Sequence, residues 1–247
     1  MHLAPKVMDL FSGIGGFSLG LERAGMETVA FCEIEAYPRA ILKKHWPHVP
    51  IFKDVRKLNK DVFDEKVDVI CGGFPCQDIS RAGKGQGLAG QRSGLWSEFA
   101  RIVGEFRPNY VIVENVAQLR NNGLVCVLQD LYSLGFDAEW HCIPGHAVGS
   151  PQVRDRIYIV AYTHEGGHGG AGWVGRWISS EEEARYAGWR GNAAGDVQLW
   201  PEPPLDRVAY GLRSGVDGCR ALGNAVIPQI PEIIGRAIIR SVNKCGG

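Results

Sequence analysis

The stretch KVMDLFSGIGGFSLGLERAG, residues 6–25, predicts the element from which the rest of the fold follows. Its apolar start at residues 6–11 predicts a strand, and helical spacing over residues 16–24 predicts a helix that ends at Gly25. The glycines between them permit a tight turn and let a ligand approach backbone N–H groups closely. Because position 18 is serine, the pattern is not GxGxxG, which favours an adenosine-bearing ligand other than a nicotinamide or flavin cofactor. A purely structural strand-to-helix turn is the alternative interpretation.

Beyond this stretch, apolar runs continue to alternate with helical patterns up to residue 162. Further strands are predicted at residues 28–33, 67–71, 110–114, 138–143 and 157–162, and further helices before residues 45–47 and at 96–106 and 125–134. This alternation predicts an α/β fold with a mostly parallel sheet covered by helices on both faces. Residues 163–220 are glycine-rich and weakly periodic, which predicts a small inserted lobe. Helical spacing returns at residues 227–242, so we expect one domain from residues 1–162 plus 221–247.

Charge and composition exclude several classes of protein. The chain has 247 residues with 27 basic and 27 acidic side chains, so a nucleic-acid function would need local basic patches rather than a net charge. No apolar run approaches the ~20 residues of a membrane span, and the first residues do not resemble a secretion signal. Seven scattered cysteines without a CxxC pair predict a reducing compartment and argue against a disulfide framework or a four-cysteine zinc site.

The segment CGGFPCQDIS, residues 71–80, contains a candidate nucleophile. Cys76 follows a predicted strand end, which is where open α/β sheets bind their ligands. A thiolate at that position is an accessible nucleophile if its pKa is lowered, whereas a buried and unreactive cysteine is the alternative. The following residues, 81–94, contain five glycines and three basic side chains, which is typical of a mobile lid over a polyanion.

Charged side chains at two further predicted strands complete the candidate chemistry. Glu114 ends a buried apolar run at the same sheet edge as Cys76, and burial there would raise its pKa so that it holds a proton. A carboxylate that caps the next helix is the alternative for Glu114. In the stretch QVRDR, the side chains of Gln152, Arg154 and Arg156 share one face of an extended chain. They suit an anionic or carbonyl-rich ligand or, alternatively, a salt-bridge ladder on an edge strand.

Taken in order, these motifs resemble the C5-cytosine-specific DNA methyltransferases, and the compact layout is most similar to phage-type members. The matching elements are DLFSGIGGFSLG, Glu33, Asp54, GGFPCQDIS, ENV, QVRDR and GNAVIPQIPEIIGRAI, the last at residues 223–238. The resemblance implies a Rossmann-like methyltransferase fold with a small target-recognition lobe at residues 163–220. It also implies S-adenosylmethionine as methyl donor, S-adenosylhomocysteine as product and double-stranded DNA as substrate.

The resemblance implies a role for each matching position. Cys76 would attack C6 of a flipped-out cytosine, Glu114 would protonate or hydrogen-bond N3, and Arg156 would hold O2 with support from Arg154. The implied cofactor residues, with Glu33 on the ribose and Asp54 on the adenine, are Asp9, Phe11, Gly13, Ile14, Gly15, Gly16, Glu33, Ile34, Asp54, Val55, Pro75, Asn224, Ala225 and Val226. The expected nucleic-acid contacts are Gln77, Ser80, Arg81, Lys84, Arg92, Gln152, Arg176 and Arg190.

Other functions fit the sequence less well. The residues HEGGH at 164–168 have the HExxH form of a zinc peptidase, but their glycines disfavour the helix that this motif needs, so no metal site is predicted. A tRNA cytosine-C5 methyltransferase would keep the fold, but its nucleophile motif continues unlike QDIS. A non-catalytic DNA-binding relative has no need of Cys76 paired with Glu114. A nicotinamide dehydrogenase is disfavoured by the serine at position 18 and by the PCQ element.

The resemblance also gives expectations about the cellular setting. We expect a monomer without membrane association in the cytoplasm of a bacterial or phage-infected cell. A cognate restriction endonuclease is a candidate partner. The recognition sequence and the biological role of the methylation do not follow from the amino-acid sequence.

Overall fold

A computed structural model describes residues 4–75, 94–150, 154–163 and 224–245 of the chain. The strands in these ranges are β1 (Lys6–Leu10), β2 (Glu27–Cys32), β3 (Ile51–Phe52), β4 (Val69–Gly72), β5 (Tyr110–Val116), β6 (Phe136–Pro144) and β7 (Asp155–Thr163). The helices are α1 (Gly16–Arg23), α2 (Ala36–His45), α3 (Leu95–Phe106), α4 (Leu119–Asn122), α5 (Leu124–Ser133) and α6 (Gln229–Cys245). Two 3-10 turns, Val55–Lys57 and Gly145–Val148, complete the described elements.

The strands form one seven-stranded sheet in the order β3-β2-β1-β4-β5-β7-β6. Neighbours from β3 to β5 run parallel, whereas β7 runs antiparallel to both β5 and β6. The predicted α/β fold with a mostly parallel sheet is therefore confirmed. The chain proceeds outward from β1 to one edge and from β4 to the other, so the strand order reverses between these two strands. In open α/β sheets a ligand crevice forms at such a reversal, outside the carboxyl ends of the strands.

The central strands are apolar because helices cover both of their faces. On one face, Phe99 and Ile102 of α3 and Leu131 of α5 belong to a buried cluster with side chains of the sheet. On the opposite face, a second cluster combines Leu21 of α1 with apolar side chains of α6 and the sheet. Strands β1, β4, β5 and β7 contribute side chains to both clusters, which explains their near-continuous apolar runs in the sequence.

The C-terminal helix α6 packs against α1. Gly20 of α1 permits this approach, because a Cβ at that position would collide with the carbonyl oxygen of Pro228. From α6, Ile230, Ile234 and Ile238 lie in the same cluster as Val7 of β1. The division into residues 1–162 plus 221–247 and a lobe at residues 163–220 stays a prediction, because residues 164–223 lie outside the described ranges.

The structure differs from the predicted elements at several ends. Strand β1 stops at Leu10 rather than at residue 11, because Phe11 adopts a left-handed backbone conformation with φ 53°. Strands β6 and β7 are longer than predicted, because they pair along their whole lengths from Phe136 opposite Thr163 to Pro144 opposite Asp155. The two-residue strand β3 and the four-residue helix α4 were not predicted, since such short elements have no detectable periodicity. No helix in the described ranges is long and apolar enough to cross a membrane.

Candidate active site

The carboxyl ends of the parallel strands open into a cavity of about 670 Å³. This volume suits a small organic ligand. The wall includes residues from the ends of five strands and from the segment before α6. The predicted site residues that line it are Phe11, Gly13, Glu33, Ile34, Asp54, Val55, Pro75, Glu114, Arg154, Arg156 and Asn224. Residues predicted for the cofactor and residues predicted for the reacting base therefore share one cavity.

The turn after β1 is fixed to the end of β2 by the Glu33 carboxylate. Gly13, with φ 53°, donates its backbone N–H to Glu33 Oε2 at 2.7 Å. The other oxygen, Oε1, accepts the backbone N–H of Glu35 at 2.7 Å. A carboxylate oxygen can accept more than one hydrogen bond, so this held carboxylate can also accept hydroxyl groups of a ligand in the cavity. Phe11 presents its ring at the cavity wall and stacks on Phe99 of α3, with ring centroids 6.4 Å apart.

Several predicted cofactor residues do not line this cavity, and their contact with a cofactor stays a prediction. Asp9 is fully buried behind the turn, where its Oδ2 accepts a hydrogen bond from Ser18 Oγ at 2.8 Å. Position 15 needs glycine because a Cβ there would lie 2.7 Å from the ring of Trp46. Gly16 is required by the backbone carbonyl of Val226. The residues absent from the wall of the main cavity are Asp9, Ile14, Gly15, Gly16, Ala225 and Val226.

Burial raises the pKa of Asp9 from 3.8 to about 8, although its hydrogen bonds with Ser18 oppose the shift. A buried carboxyl without a cationic partner favours its neutral form because charge is poorly solvated there. The hydrogen bond from Ser18 links the end of β1 to the first turn of α1. Asp9 therefore supports the turn from behind, and its predicted contact with the cofactor stays a prediction.

Asp54 lies at the edge of the cavity and is held by its own neighbours. Its side chain caps the 3-10 turn by accepting the backbone N–H of Arg56 at 3.1 Å. The guanidinium of Arg56 also donates two hydrogen bonds to the carboxylate, from Nε at 2.9 Å and from Nη2 at 2.8 Å. These hydrogen bonds lower the pKa of Asp54, so the carboxylate stays ionised.

The opposite wall places an acid beside two arginines. Glu114 near the end of β5 lies opposite Tyr158 of β7, and Arg156 Nε is 2.9 Å from Glu114 Oε1. The contact is an ion pair, and among the described residues Oε1 accepts no hydrogen bond of normal geometry. Arg154 Nη1 donates to the backbone carbonyl of Ala225 at 2.8 Å. This bond ties the start of β7 to the segment before α6.

Burial raises the pKa of Glu114, although the charges of Arg156 and Arg154 oppose the shift. The direction agrees with the sequence prediction that this acid holds a proton. A protonated carboxyl can donate a hydrogen bond or a proton to a ring nitrogen, which an ionised carboxylate cannot. Glu114 is not the N-cap of the next helix, since it lies within β5 and Gln118 precedes α4.

Two further residues of this wall were not assigned roles from the sequence. A Cβ at Gly73 would lie 2.7 Å from Glu114 Oε2, so only glycine leaves room for the acid in its present position. Asn115 donates from Nδ2 to the backbone carbonyl of Phe74 at 2.9 Å and accepts the backbone N–H of Val116 at 2.9 Å. It thereby fixes the chain just before Pro75. The signals were present in the sequence, as the GG pair and the middle letter of ENV.

The remaining predicted residues lie outside the described part of the chain. They are the nucleophile Cys76 and the expected nucleic-acid contacts Gln77, Ser80, Arg81, Lys84, Arg92, Gln152, Arg176 and Arg190. The HEGGH residues at 164–168 also lie outside it. Within the described ranges, no group of three or more histidine, cysteine, aspartate or glutamate side chains is arranged to hold a metal ion. Pro75, the last described residue before Cys76, lines the cavity.

Comparison with known proteins connects this geometry to a family. Residues 5–185 match the family described as C-5 cytosine-specific DNA methylase. The chain belongs to this family. It is 33% identical over 168 residues to the type II methyltransferase M2.BsuMI of Bacillus subtilis. The aligned region covers 65% of this chain and 42% of the relative. It is 32% identical over 164 residues to M.HhaI of Haemophilus parahaemolyticus, covering 65% of this chain and 50% of the relative.

Solved structures of other methyltransferases share the fold of this C5 cytosine methylase chain. A putative DNA modification methyltransferase encoded within an Escherichia coli prophage matches with a TM-score of 0.57 and 26% identity, over 69% of this chain and 50% of that one. A DNMT2 structure from Spodoptera frugiperda matches with a TM-score of 0.54 and 24% identity, over 65% and 50% of the two chains. The fold is thus the Rossmann-like fold of S-adenosylmethionine-dependent methyltransferases. The chain spans about half the length of the curated relatives it matches.

C5 cytosine methylases use S-adenosylmethionine as methyl donor, and the cavity offers groups that suit it. The Glu33 carboxylate can accept ribose hydroxyls, and Phe11 provides an apolar surface beside it. Gly13 has no atom within 4 Å of the position where a Cβ would be, so the backbone turn is open to a close ligand. The residues present therefore fit an adenosine-bearing cofactor at the carboxyl ends of β1 and β2.

Proposed function

We propose that this chain transfers a methyl group from S-adenosylmethionine to C5 of a flipped-out cytosine in duplex DNA. The observation that carries the proposal is the single cavity shared by Glu33 and Asp54 on one wall and by Glu114 and Arg156 on the other. A methyl transfer requires donor and acceptor in contact, and one cavity with both sets of groups meets that requirement. The family membership supports the same reaction.

In this proposal the wall that contains Glu33, Asp54 and Phe11 binds and orients the cofactor. Glu33 accepts the ribose hydroxyls, while Asp54 meets the adenine from the 3-10 turn. Phe11 covers the adenosine from the turn after β1, where Gly13 leaves the backbone accessible. When bound, the cofactor supplies an electrophilic methyl group on sulfur. The positions of Asn224 and Pro75 on the wall are consistent with their expected contacts.

The opposite wall activates the base. Cytosine C5 is a poor nucleophile until a group adds at C6, so the proposed thiolate of Cys76 forms a bond to C6 and sends the electron pair towards C5. Glu114 donates a proton or hydrogen bond to N3 as negative charge develops on the ring, and Arg156 donates to O2. After C5 has accepted the methyl group, the C5 proton passes to water and its electron pair expels the thiolate of Cys76. The proton on N3 returns to Glu114, which restores the aromatic ring.

DNA binding is part of the proposal. The base must leave the stack to reach this cavity, which costs a few kcal/mol in unstacking and unpairing. We assign the phosphate contacts to Arg81, Lys84 and Arg92, and the reading of bases to the lobe at residues 163–220 with Arg176 and Arg190. We also propose that the chain acts as a monomer in a bacterial or phage-infected cell. The names of the type II relatives support a cognate restriction endonuclease as candidate partner.

The test is transfer of a labelled methyl group from S-adenosylmethionine to duplex DNA of mixed sequence, with tRNA in a parallel reaction. We expect label on C5 of DNA cytosine after the DNA is digested to nucleosides. Label on tRNA alone would keep the chemistry and overturn the substrate. Absence of label on both, with S-adenosylmethionine binding measured by calorimetry, would contradict catalysis and favour a binding role.

A further inference from the structure

We infer that Arg101 of α3 is a positioning residue that fixes the Asp54 wall of the cavity and thereby sets the affinity for S-adenosylmethionine. Its guanidinium Nη2 donates to the backbone carbonyl of Val55 at 3.0 Å and to that of Leu58 at 2.9 Å. These two carbonyls belong to the first residue of the 3-10 turn and to the residue that ends it. The inference rests on the proposed function, in which Asp54 and Val55 form part of the cofactor site.

The turn is closed by its own hydrogen bonds, among them the one from the Leu58 N–H to the Val55 carbonyl at 3.3 Å, but these bonds do not attach it to another element of the fold. It follows the two-residue strand β3, whose pairing with β2 comprises only Phe31 with Ile51 and Cys32 with Phe52. A backbone carbonyl can accept two hydrogen bonds, so those of Val55 and Leu58 can each take a donor from outside the turn. Arg101 supplies donors to these carbonyls from another element of the fold. The position of the wall therefore depends on a side chain 43 to 46 residues further along the chain.

The guanidinium is itself held in place by two acids of α3. Its Nε donates to Glu98 Oε2 at 2.8 Å, and its Nη1 donates to Glu105 Oε2 at 2.9 Å. The other oxygen of Glu105 accepts the backbone N–H of Lys60 at 2.9 Å. The three side chains thus form a brace, Glu98–Arg101–Glu105, with three hydrogen bonds to the backbone of residues 55–60. A planar guanidinium with fixed donors suits this arrangement, and an ammonium group cannot reproduce it.

The helix that bears the brace also contacts the other parts of the cavity. Phe99 stacks on Phe11 of the turn after β1, and Trp96 packs against Phe74 with ring centroids 5.2 Å apart. Leu95, at the start of the helix, lines the cavity. Helix α3 is therefore a common support, and Arg101 is the residue through which it holds the Asp54 wall. Since the brace does not touch the Glu114 wall, it should influence cofactor binding rather than the chemical step.

The buried side chains of Val55 and Leu58 could instead suffice to hold the turn, and the experiment separates the two explanations. We compare the wild type with Arg101→Gln and Arg101→Lys, and measure Kd for S-adenosylmethionine by calorimetry together with KM and kcat for methyl transfer to DNA. Loss of hydrogen bonds from a charged donor predicts that Arg101→Gln raises Kd and KM by about tenfold, with kcat within about twofold of wild type. Arg101→Lys should recover part of the affinity, because it keeps the charge and one donor group.

The matched control is Arg236→Gln, which removes an ion pair with Glu232 four residues earlier on α6 and leaves the brace intact. It should leave Kd unchanged. All variants are measured well below the onset of thermal unfolding, and Arg101→Lys decides the outcome if Arg101→Gln does not fold. Unchanged Kd in the folded Arg101 variants, or a fall in kcat without a change in Kd, would overturn this inference and leave the proposed function standing. Failure of the wild type itself to bind S-adenosylmethionine would overturn the proposed function and the inference with it.

Discussion

Glu114 and Arg156 contact each other between neighbouring strands, with 2.9 Å between Glu114 Oε1 and Arg156 Nε. The burial of Glu114 nevertheless outweighs the arginine charge, and its pKa is raised. The site therefore combines a carboxyl whose ionised form is disfavoured by burial with a guanidinium that is always charged. Such a pair can donate to two neighbouring acceptors of one base, which is what activation of cytosine at N3 and O2 requires.

Replacement of the acid should impair the chemistry more than binding. Because a carboxamide cannot transfer a proton to N3, Glu114→Gln should lower kcat by about 10²- to 10³-fold and leave DNA affinity nearly unchanged. The exposed Glu27→Gln serves as the control. A rate constant for methyl transfer equal to that of the wild type in single-turnover assays would refute the role of Glu114 as acid.

The same residue predicts a pH dependence. Activity of the wild type requires protonated Glu114, so the rate should fall as pH rises through its pKa. Since that pKa is raised, the fall should occur at higher pH than for an exposed glutamate. The residual activity of Glu114→Gln should lack this fall, which pH profiles of kcat for both proteins would reveal. If kcat of both proteins fell over the same alkaline pH range, the fall would belong to a group other than Glu114.

The proposed nucleophile can be tested apart from cofactor binding. Cys76→Ser should abolish methylation, because a serine hydroxyl is a much weaker nucleophile than a thiolate, and should keep S-adenosylmethionine affinity. Cys126→Ser, at an exposed cysteine of α5, should retain both properties. Calorimetry and labelled-methyl transfer on the three proteins measure this; loss of cofactor affinity in Cys76→Ser would contradict its assigned role.

Position 73 should not tolerate a side chain, because the carboxylate of Glu114 occupies the space beside Gly73. An added Cβ would lie 2.7 Å from Glu114 Oε2, so Gly73→Ala must displace the carboxylate. We expect at least a tenfold loss of kcat, because misplacement by about 1 Å can cost about 10²-fold. Gly104→Ala of α3, where the nearest atom is a side-chain methyl of Leu134 at 3.0 Å, is the control. Equal rates for wild type and Gly73→Ala would show that Glu114 tolerates the shift.

Asp9 should make stability depend on pH. Its folded pKa of about 8 exceeds the unfolded value, so its contribution to stability is fully present below pH 3.8 and is lost progressively as pH rises to about 8. Asp9→Asn is neutral throughout, so its free energy of unfolding should rise relative to wild type by up to about 1.4 kcal/mol per pH unit across that window. Urea denaturation at pH 5.5, 7 and 8.5 measures this, with the exposed Asp64→Asn as control. A constant difference between variant and wild type would mean that Asp9 is ionised in the folded protein.

Much of the site was predictable because it lies on a short stretch of chain. The glycines before α1 and the acids at the ends of β2 and β5 follow runs whose periodicity predicts strands, and parallel strands bring their carboxyl ends to one edge. The resemblance then assigned roles to Glu33, Asp54, Glu114 and Arg156, all of which line the cavity. Asp9, Gly15 and Gly16 stay predicted cofactor residues that do not line the cavity, since a motif does not reveal which of its residues face the cavity and which face the packing behind it.

The sequence by itself determined the alternation of strands and helices, the glycine-rich turn and the family, since these depend on local periodicity and on motif order. Only the tertiary structure decided that Gly16 accommodates the carbonyl of Val226, that Gly73 makes room for Glu114, and that Arg101 holds the carbonyls of Val55 and Leu58. These relationships join segments 41 to 210 residues apart in the chain. Close packing fixes them, and no periodicity within either segment encodes the distance between the two.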